Sequence, residues 1–357
     1  MLLDQFLNFN NHNNIKVRLL TTINTKKSFL NYSHTIGICV MDGRGFMFPV
    51  DTAIGKNGRI HTVSRAYTPA VFQLRITMYD INSKFYGVYG GYGEKLGEFR
   101  WPTGMASDNS GNIYLSDELN HRINIFSDEG NAIKYWGKAG INEGELNGPS
   151  GIAFDSHDNL FVADHLNNRI QKFTKDGDFI SSFGDKGPDV LNMPWGVFVS
   201  AEGFTYVADW GNDRIAKYDS NGKLIRCFGS RGSKNGQFKN PSGVAVDKDG
   251  YIYISDWGNE RLQILDENGN FIETYRGQAT LSKWGEEYMD GNYQEAEPRS
   301  RSNLEPDPVQ FGGDPHEESA HIEKFFWGPT SVKLDDDGRI YVTESNRHRV
   351  QIYERAK

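Results

Sequence analysis

Three side chains that could bind polar ligands recur at a fixed spacing: an aspartate, an asparagine three residues later, and an arginine two residues after that. The full pattern occurs four times, at Asp117/Asn120/Arg122, Asp164/Asn167/Arg169, Asp209/Asn212/Arg214 and Asp256/Asn259/Arg261. Such a carboxylate and guanidinium can bind a substrate, but they can equally hold a tight turn. Because every copy carries the same three residues, we interpret them as a turn network that every copy needs.

Positions that differ between copies are better candidates for a specific site. The residues that directly follow the motif aspartate, or its equivalent, are Arg65, Glu118, His165, Trp210, Trp257 and Ser345. The residues that follow the proline opening each copy are Val50, Thr103, Ser150, Trp195, Ser242 and Thr330. Side chains that are charged, aromatic or able to form hydrogen bonds are common in binding sites. From these two sets we predict that a ligand is bound by Arg65, Glu118, His165, Trp195, Trp210 and Trp257. Packing between units is the alternative role for the three tryptophans.

Metal binding is not indicated by the histidines. His165 is alone at its position, and His316 and His321 follow much later in the chain without a recognised ligand spacing. A protein zinc site needs three or four converging ligands. Acidic segments such as 335–338 lack the distal glutamate of a calcium loop and are interpreted as turns. We therefore predict no metal, no cofactor and no catalytic residue.

Short alternating segments surround each copy of the motif. In one copy, apolar and polar residues alternate over 151–155, 160–163, 170–174 and 179–183, with turn-forming residues between them. Such alternation is typical of strands with one buried face, and Asp-Gly links favour hairpins. The copies open at prolines 49, 102, 149, 194, 241 and 329, at intervals of 53, 47, 45, 47 and 88 residues. Four strands repeated about every 45 residues predict an all-β, six-bladed β-propeller of four-stranded antiparallel blades.

The repeated residues also resemble a known family. Pro149-Ser-Gly-Ile-Ala, then Leu160-Phe-Val-Ala-Asp164, then Asn167-Asn-Arg-Ile170 is similar to the pattern of NHL repeats, and the resemblance covers about residues 34–357. It implies one propeller domain over 34–357. It leaves function open, because unrelated functions share this fold.

The chain ends are expected to complete one blade together. The last copy ends after three strands at Ile352-Tyr353, and residues 34–40 form an apolar strand without a blade of its own. We predict that this N-terminal strand completes blade six and closes the ring, which removes exposed strand edges. Residues 1–33, with five asparagines between positions 8 and 14, are predicted to be a flexible tail.

An insertion accounts for the longest interval. It occupies about residues 277–327, and its segment 285–323 contains eleven acidic residues and two arginines, a net charge of −9. This composition cannot bury enough apolar surface to fold alone. Trp284, Tyr288, Tyr293 and Phe311 are available to dock it on the propeller. A long insertion is either functional or disordered, and we expect it on the same face as the motif loops.

Composition excludes several classes of protein. The net charge is −8, and the sequence has no apolar segment of the ~18 residues that a membrane span needs. Cys39 and Cys227, the two cysteines, are predicted on outermost strands of non-adjacent blades, so we expect no disulfide. The N-terminus lacks the basic and long apolar regions of a signal peptide. We expect a cytoplasmic monomer.

The first functional hypothesis is a binding platform for a protein segment or a small ligand on the loop face. NHL propellers are often protein-interaction domains, which is what the resemblance implies here.

A metal-dependent enzyme is the alternative. Peptidyl-hydroxyglycine lyases share the repeat and hold zinc through histidines after the blade prolines, where this chain has none. Lactonases of the gluconolactonase type hold a central metal, for which Glu118 is the one visible ligand. RNA binding is a third hypothesis and a distant one, because Arg65 and Arg100 are too few to make a basic surface.

Overall fold

The computed structural model describes residues 28–40, 43–66 and 73–356. It contains six four-stranded antiparallel sheets. In blades one to five the strands follow the chain from the innermost to the outermost position. The strands of blade one are β2 (Pro49–Ile54), β3 (Arg59–Ser64), β4 (Arg75–Asp80) and β5 (Phe85–Tyr89). Those of blade two are β6 (Pro102–Ser107), β7 (Ile113–Asp117), β8 (Arg122–Phe126) and β9 (Ala132–Trp136).

The next three blades repeat this order. The strands of blade three are β10 (Pro149–Phe154), β11 (Asn159–Asp164), β12 (Arg169–Thr174) and β13 (Phe179–Phe183). Those of blade four are β14 (Pro194–Val199), β15 (Thr205–Asp209), β16 (Arg214–Tyr218) and β17 (Leu224–Phe228). Those of blade five are β18 (Pro241–Val246), β19 (Ile252–Asp256), β20 (Arg261–Leu265) and β21 (Phe271–Tyr275). The predicted strand positions of blade three are therefore confirmed to within two residues at each end.

Blade six is built from both ends of the described chain. Its strands are β22 (Pro329–Leu334), β23 (Ile340–Glu344) and β24 (Arg349–Arg355), with β1 (Leu30–Ile36) as the outermost strand. The predicted closure by an N-terminal strand is confirmed, but the predicted bounds, 34–40, are wrong.

The closing strand starts earlier because its last partner is longer than expected. β24 continues to Arg355, which pairs with Leu30. Leu30 is 2 % exposed and packs with Tyr275 and Tyr353 in the core between blades five and six. Residues 30–33, which were predicted to belong to the flexible tail, are therefore part of the propeller. The rest of that prediction, over residues 1–27, lies outside the described part of the chain.

Strand polarity gives the propeller two different ends. The loops after the second and fourth strands of each blade form one end, called the loop face below. The loops after the first and third strands form the other, called the hairpin face. Three loop-face connections contain a 3₁₀ turn directly after the motif aspartate, at His165–Asn167, Trp210–Asn212 and Trp257–Asn259.

The insertion forms three helices: α1 (Lys283–Gly291), α2 (Tyr293–Arg301) and α3 (Pro315–His321), with a 3₁₀ turn at Pro308–Phe311. Trp284 is 1 % exposed and packs against Phe46, Tyr79 and Phe85 of blade one and the segment before it. Its indole N–H donates to the Ser83 carbonyl at 2.7 Å. The insertion is therefore docked by one of its four candidate aromatic residues.

The position of the insertion differs from the expectation. Helix α3 does meet the loop face, where Arg276 Nη1 lies 2.7 Å from Glu318 and His316 lies 2.9 Å from Glu260. Helix α1 instead packs against β1 at the outer rim, because the pocket for Trp284 lies between blades six and one. Arg276 and Arg44, which pairs with Glu287, offset part of the acidic charge of the insertion.

Both cysteines are free thiols. Cys227 lies on β17, the outermost strand of blade four, as predicted. Cys39 lies just beyond the end of β1, where it forms an isolated bridge with Phe46. Within the described residues, no helix is both long and apolar enough to cross a bilayer.

Candidate functional site

The recurring aspartate is the centre of a buried hydrogen-bond network. In blade three the Asp164 carboxylate accepts from the backbone N–H of Asn147 and from the side chains of Asn167, Arg169 and Gln171, at 2.6 to 2.9 Å. Asp256 in blade five has the same four kinds of partner. Asp209 in blade four has all of them except the glutamine, whose position is occupied by Ala216. Glu344 replaces the aspartate in blade six. The motif residues hold the loop that enters their own blade, and the structural interpretation agrees with these contacts.

A second repeated contact joins neighbouring blades. The residue between the motif asparagine and arginine has a left-handed backbone and accepts a hydrogen bond from the N–H just before the next blade's proline. The accepting residues are His121, Asn168, Asp213, Glu260 and His348. Sequence reasoning missed this inter-blade clasp, because five residues of four different types do not look like one repeated contact. Their shared signal is a side-chain acceptor at a fixed offset from the arginine.

Close packing of the inner strands explains the glycine that follows the proline by two residues in blades two to five. A Cβ at Gly104 or Gly196 would lie 2.6 Å from the carbonyl oxygen of Ser150 or Ser242 on the next blade. Glycine therefore lets neighbouring inner strands approach, which narrows the central channel.

Blade one has Asp51 at this glycine position. Its carboxylate accepts from the N–H of Met105 at 2.7 Å and lies 3.1 Å from the Lys333 ammonium, which also donates to the Met105 carbonyl. This channel ion pair joins blades six, one and two. The sequence signal was available, since Asp51 replaces a repeated glycine and Lys333 replaces a repeated small or aromatic residue.

Four of the predicted site residues converge at the loop-face mouth of the channel. The Arg65 guanidinium carbon lies 5.8 Å from the centre of the Trp195 ring, and Trp195 makes an edge contact with His165 at 5.0 Å. Arg65 also donates through Nε to the Pro102 carbonyl at 2.9 Å. Glu118 lies close enough to Arg65 for the guanidinium charge to act on the pKa of its carboxyl, which it lowers. These side chains come from blades one, two, three and four, so the propeller ring is what brings them together.

Trp101 belongs to this cluster and was not predicted. Its ring lies 4.8 Å from the Arg65 guanidinium carbon, so that guanidinium is within cation–π distance of two indoles. Trp101 directly precedes the proline of blade two, a position outside both sets of candidates. We refer to Arg65, Trp101, Glu118, His165 and Trp195 as the channel-mouth cluster.

Burial changes the acid–base properties of two members of this cluster. It raises the pKa of the Glu118 carboxyl, and the positive charge of Arg65 partly opposes the rise. Burial also lowers the pKa of His165, which is 4 % exposed. The mouth thus presents one guanidinium, one carboxyl, one imidazole and two indoles, which suits recognition of a ligand with both polar and aromatic groups.

Trp210 and Trp257 lie on the same face but make different contacts. Each begins the 3₁₀ turn of its blade, and their backbone carbonyls accept from the Asn240 side chain and from the Glu260 N–H. The Trp257 side chain is 42 % exposed, so packing between blades does not account for it. Their role in ligand binding stays a prediction.

The channel itself is narrow below the mouth. The cavity that includes Trp195, Thr103, Ser242 and Asp51 has a volume of about 20 Å³. A volume near 10–15 Å³ is enough for one water molecule, so a larger ligand must sit on the mouth rather than enter the channel.

The histidines considered as metal ligands occupy separate places. His316 pairs with Glu260, His321 stacks on Phe311, and His165 packs against Trp195. Residues 28–40, 43–66 and 73–356 contain no group of three or more histidine, cysteine or acidic residues that could hold a metal ion.

Comparison with known proteins agrees with this architecture. The NHL repeat family model matches residues 99–126, 146–173, 238–265 and 326–353, which lie in blades two, three, five and six. Blade four has the aspartate, asparagine and arginine contacts of this network without a match of its own. No curated protein sequence matches the chain.

Several solved structures share the fold at low identity. A structural genomics protein from Bacteroides thetaiotaomicron is 17 % identical over 87 % of this chain and 70 % of its own, with a TM-score of 0.58. Virginiamycin B lyase from Staphylococcus aureus, as a catalytically inactive variant with quinupristin, is 15 % identical over 86 % and 80 %, with a TM-score of 0.52. A streptogramin B lyase is 12 % identical over 90 % and 97 %, also with a TM-score of 0.52. At these identities the likeness concerns the fold alone. The chain is therefore a six-bladed β-propeller with NHL repeats, closed by its own N-terminal strand.

Proposed function

We propose that this propeller is a binding module that recognises a protein segment or a small ligand at the channel mouth of its loop face. The observation that carries the proposal is the convergence of Arg65, Trp101, Glu118 and Trp195 from separate blades. The repeat does not require these residues, since the equivalent positions in other blades hold different side chains. A set of unlike residues collected at one point is what a specific site needs.

The chemistry of the mouth indicates what such a ligand offers. The Arg65 guanidinium can bind a carboxylate or a backbone carbonyl, and the indoles of Trp101 and Trp195 can stack on a flat or aliphatic group. Trp257, exposed on the same face, supplies a further aromatic contact toward the insertion. A peptide segment with an acidic residue beside an apolar one fits this combination.

The test is a binding screen in which the site is varied independently of the fold. Peptide arrays and small-molecule mixtures are first screened against the purified protein, and hits are quantified by isothermal titration calorimetry. We expect Arg65→Ala and Trp195→Ala each to weaken a genuine hit by about tenfold or more, as loss of a central contact of over 1.4 kcal/mol does.

Lys248→Ala on the hairpin face is the matched control, because that residue lies away from the channel mouth. It should leave the affinity unchanged. Ligands whose affinity is unchanged by both Arg65→Ala and Trp195→Ala would contradict the proposed site.

A further inference from the structure

A second cavity lies at the opposite end of the central channel. On the hairpin face the six inner strands enclose about 350 Å³. Small-molecule sites typically occupy ~300–1,000 Å³ and are mostly apolar with a few polar groups. The lining combines polar groups with apolar side chains from four blades, at Ile54, Ala153, Phe154, Phe198, Val199 and Leu334. This end of the channel is therefore roomier than the narrow part below the loop-face mouth, which holds about 20 Å³.

The principal polar group of this cavity is Lys333. Its side chain starts on the inner strand of blade six, and its ammonium lies 2.9 Å from the Met105 carbonyl oxygen and 3.1 Å from the Asp51 carboxylate. The other blades have alanine or phenylalanine at the position of Lys333, for example Ala153 and Phe198. A lysine here is thus specific to one blade and is not needed by the repeat.

The charge of Lys333 is already balanced where it stands. Asp51 neutralises the ammonium, and Asp336 is the other charged residue that lines the cavity. An ammonium carries three N–H donors, and Met105 and Asp51 accept two of them. The third remains for a group inside the channel. An anionic ligand would meet two carboxylates, whereas a neutral oxygen acceptor would complete the coordination of the ammonium without adding charge.

We propose that this hairpin-face cavity is a second binding site, which takes a small neutral molecule with an apolar body and a carbonyl oxygen that accepts from Lys333. The apolar side chains of Phe154, Phe198 and Leu334 hold the body, and the lysine orients the carbonyl. The site lies at the other end of the channel from the channel-mouth cluster. A failure of this proposal would therefore leave the proposed function unaffected, and the reverse also holds.

The probe for the test is prodan, a neutral naphthyl ketone whose fluorescence shifts to the blue in an apolar environment. We expect saturable binding at one site per chain. Ala153→Phe fills part of the cavity with a residue that blade four already carries at this position, as Phe198. This substitution should weaken prodan binding at least tenfold while the melting temperature shows that the protein is folded.

A second variant tests the polar contact. Lys333→Met combined with Asp51→Asn removes both charges together, so that neither is left buried alone. We expect it to weaken prodan about tenfold, since a hydrogen bond from a charged donor contributes about that factor. Ile141→Ala, at an exposed residue of the loop face outside both proposed sites, is the control that should leave prodan binding unchanged.

Three results would overturn the proposal. The first is the absence of saturable prodan binding. The second is binding that is insensitive to Ala153→Phe or is lost in Ile141→Ala. The third is tighter binding of the anionic probe anilinonaphthalene sulfonate than of prodan at this site, which would contradict the charge argument.

Discussion

Blade two contains an incomplete copy of the buried network, and completing it should stabilise the protein. In blades three and five a glutamine, Gln171 or Gln263, donates both to the motif aspartate and to a loop carbonyl, and accepts from a loop N–H. Blade two has Asn124 instead, one methylene shorter. Among the described residues, neither polar atom of its buried side-chain amide has a hydrogen-bond partner.

The neighbouring arginine also lies farther from the motif aspartate in blade two than in blade three. Arg122 Nε lies 3.9 Å from Asp117, whereas the equivalent distance in blade three, from Arg169 to Asp164, is 2.7 Å. The blade-two carboxylate therefore lacks the close arginine Nε contact and the glutamine contact of its counterpart in blade three.

Asn124→Gln should restore the missing contacts. Three hydrogen bonds at about 1 kcal/mol each are offset by roughly 1–2 kcal/mol for fitting an extra methylene into a packed core. The expected net gain is therefore about 1–2 kcal/mol. With an unfolding entropy of ~2.1 cal/mol/K per residue over the ordered chain, that corresponds to a rise in melting temperature of roughly 1.5–3 °C.

Differential scanning calorimetry with a reversibility check measures this change. The reciprocal variant Gln171→Asn in blade three is the matched control and should lower the melting temperature by a similar or larger amount, since it leaves buried groups unpaired. A stable Gln171→Asn protein, or an Asn124→Gln protein that melts lower than the wild type, would refute the reasoning.

Four further predictions concern other parts of the fold. Burial lowers the pKa of His348 to about 4, below the ordinary value of 6.5, so the unfolded chain protonates first. Stability should then fall by up to about 3 kcal/mol as the pH drops from about 6.5 to 4. His348→Asn, which keeps an acceptor for the clasp, should reduce this dependence in urea titrations at several pH values, and an unchanged pH profile would argue against it. Trp284→Ala should lower the free energy of unfolding by about 3–5 kcal/mol and make the insertion sensitive to limited proteolysis. An insertion that resists proteolysis in this variant would show that its helices dock without Trp284. Deleting residues 30–36 should expose the edge of blade six and produce oligomers in size-exclusion chromatography, and a stable monomer would count against strand closure. Trp210→Ala with Trp257→Ala should abolish binding of loop-face ligands with a melting temperature within a few degrees of wild type, whereas a large loss of stability would identify these tryptophans as packing residues.

Local repetition made the architecture predictable. The proline marks the first strand of every blade, and in blades two to five the glycine two residues later and the aspartate-to-arginine segment mark further strand ends. Six blades and their strand positions therefore follow from spacing. The N-terminal strand was placed too late because Asn31 and Ser33 interrupt the apolar pattern ahead of the predicted start at His34. Its start depends on pairing with Arg355, at the far end of the chain.

The site was only partly predictable, because contacts between blades join residues distant in sequence. Ring geometry indicated that Arg65, Glu118, His165 and Trp195 surround the channel. It did not indicate the part of Trp101, since that residue lies outside the two equivalent positions compared.

Variation between blades also proved an incomplete guide to function. His121, Asn168 and Glu260 differ in chemistry but make the same clasp, so a variable position can be structural. What these positions share is an acceptor atom, which a comparison of residue identities does not show.

The origin of blade six in both ends of the chain has a consequence for biosynthesis. When β1 leaves the ribosome, the strand that it pairs with has not been made. At about 5–20 residues per second, the roughly 325 residues between Leu30 and Arg355 take ~15–65 s to synthesise. During that time β1 and the edge of the growing set of blades have no partner strand. The fraction of newly made protein that closes the ring therefore depends on how well nascent β1 is protected, by chaperones or by its polar alternate residues.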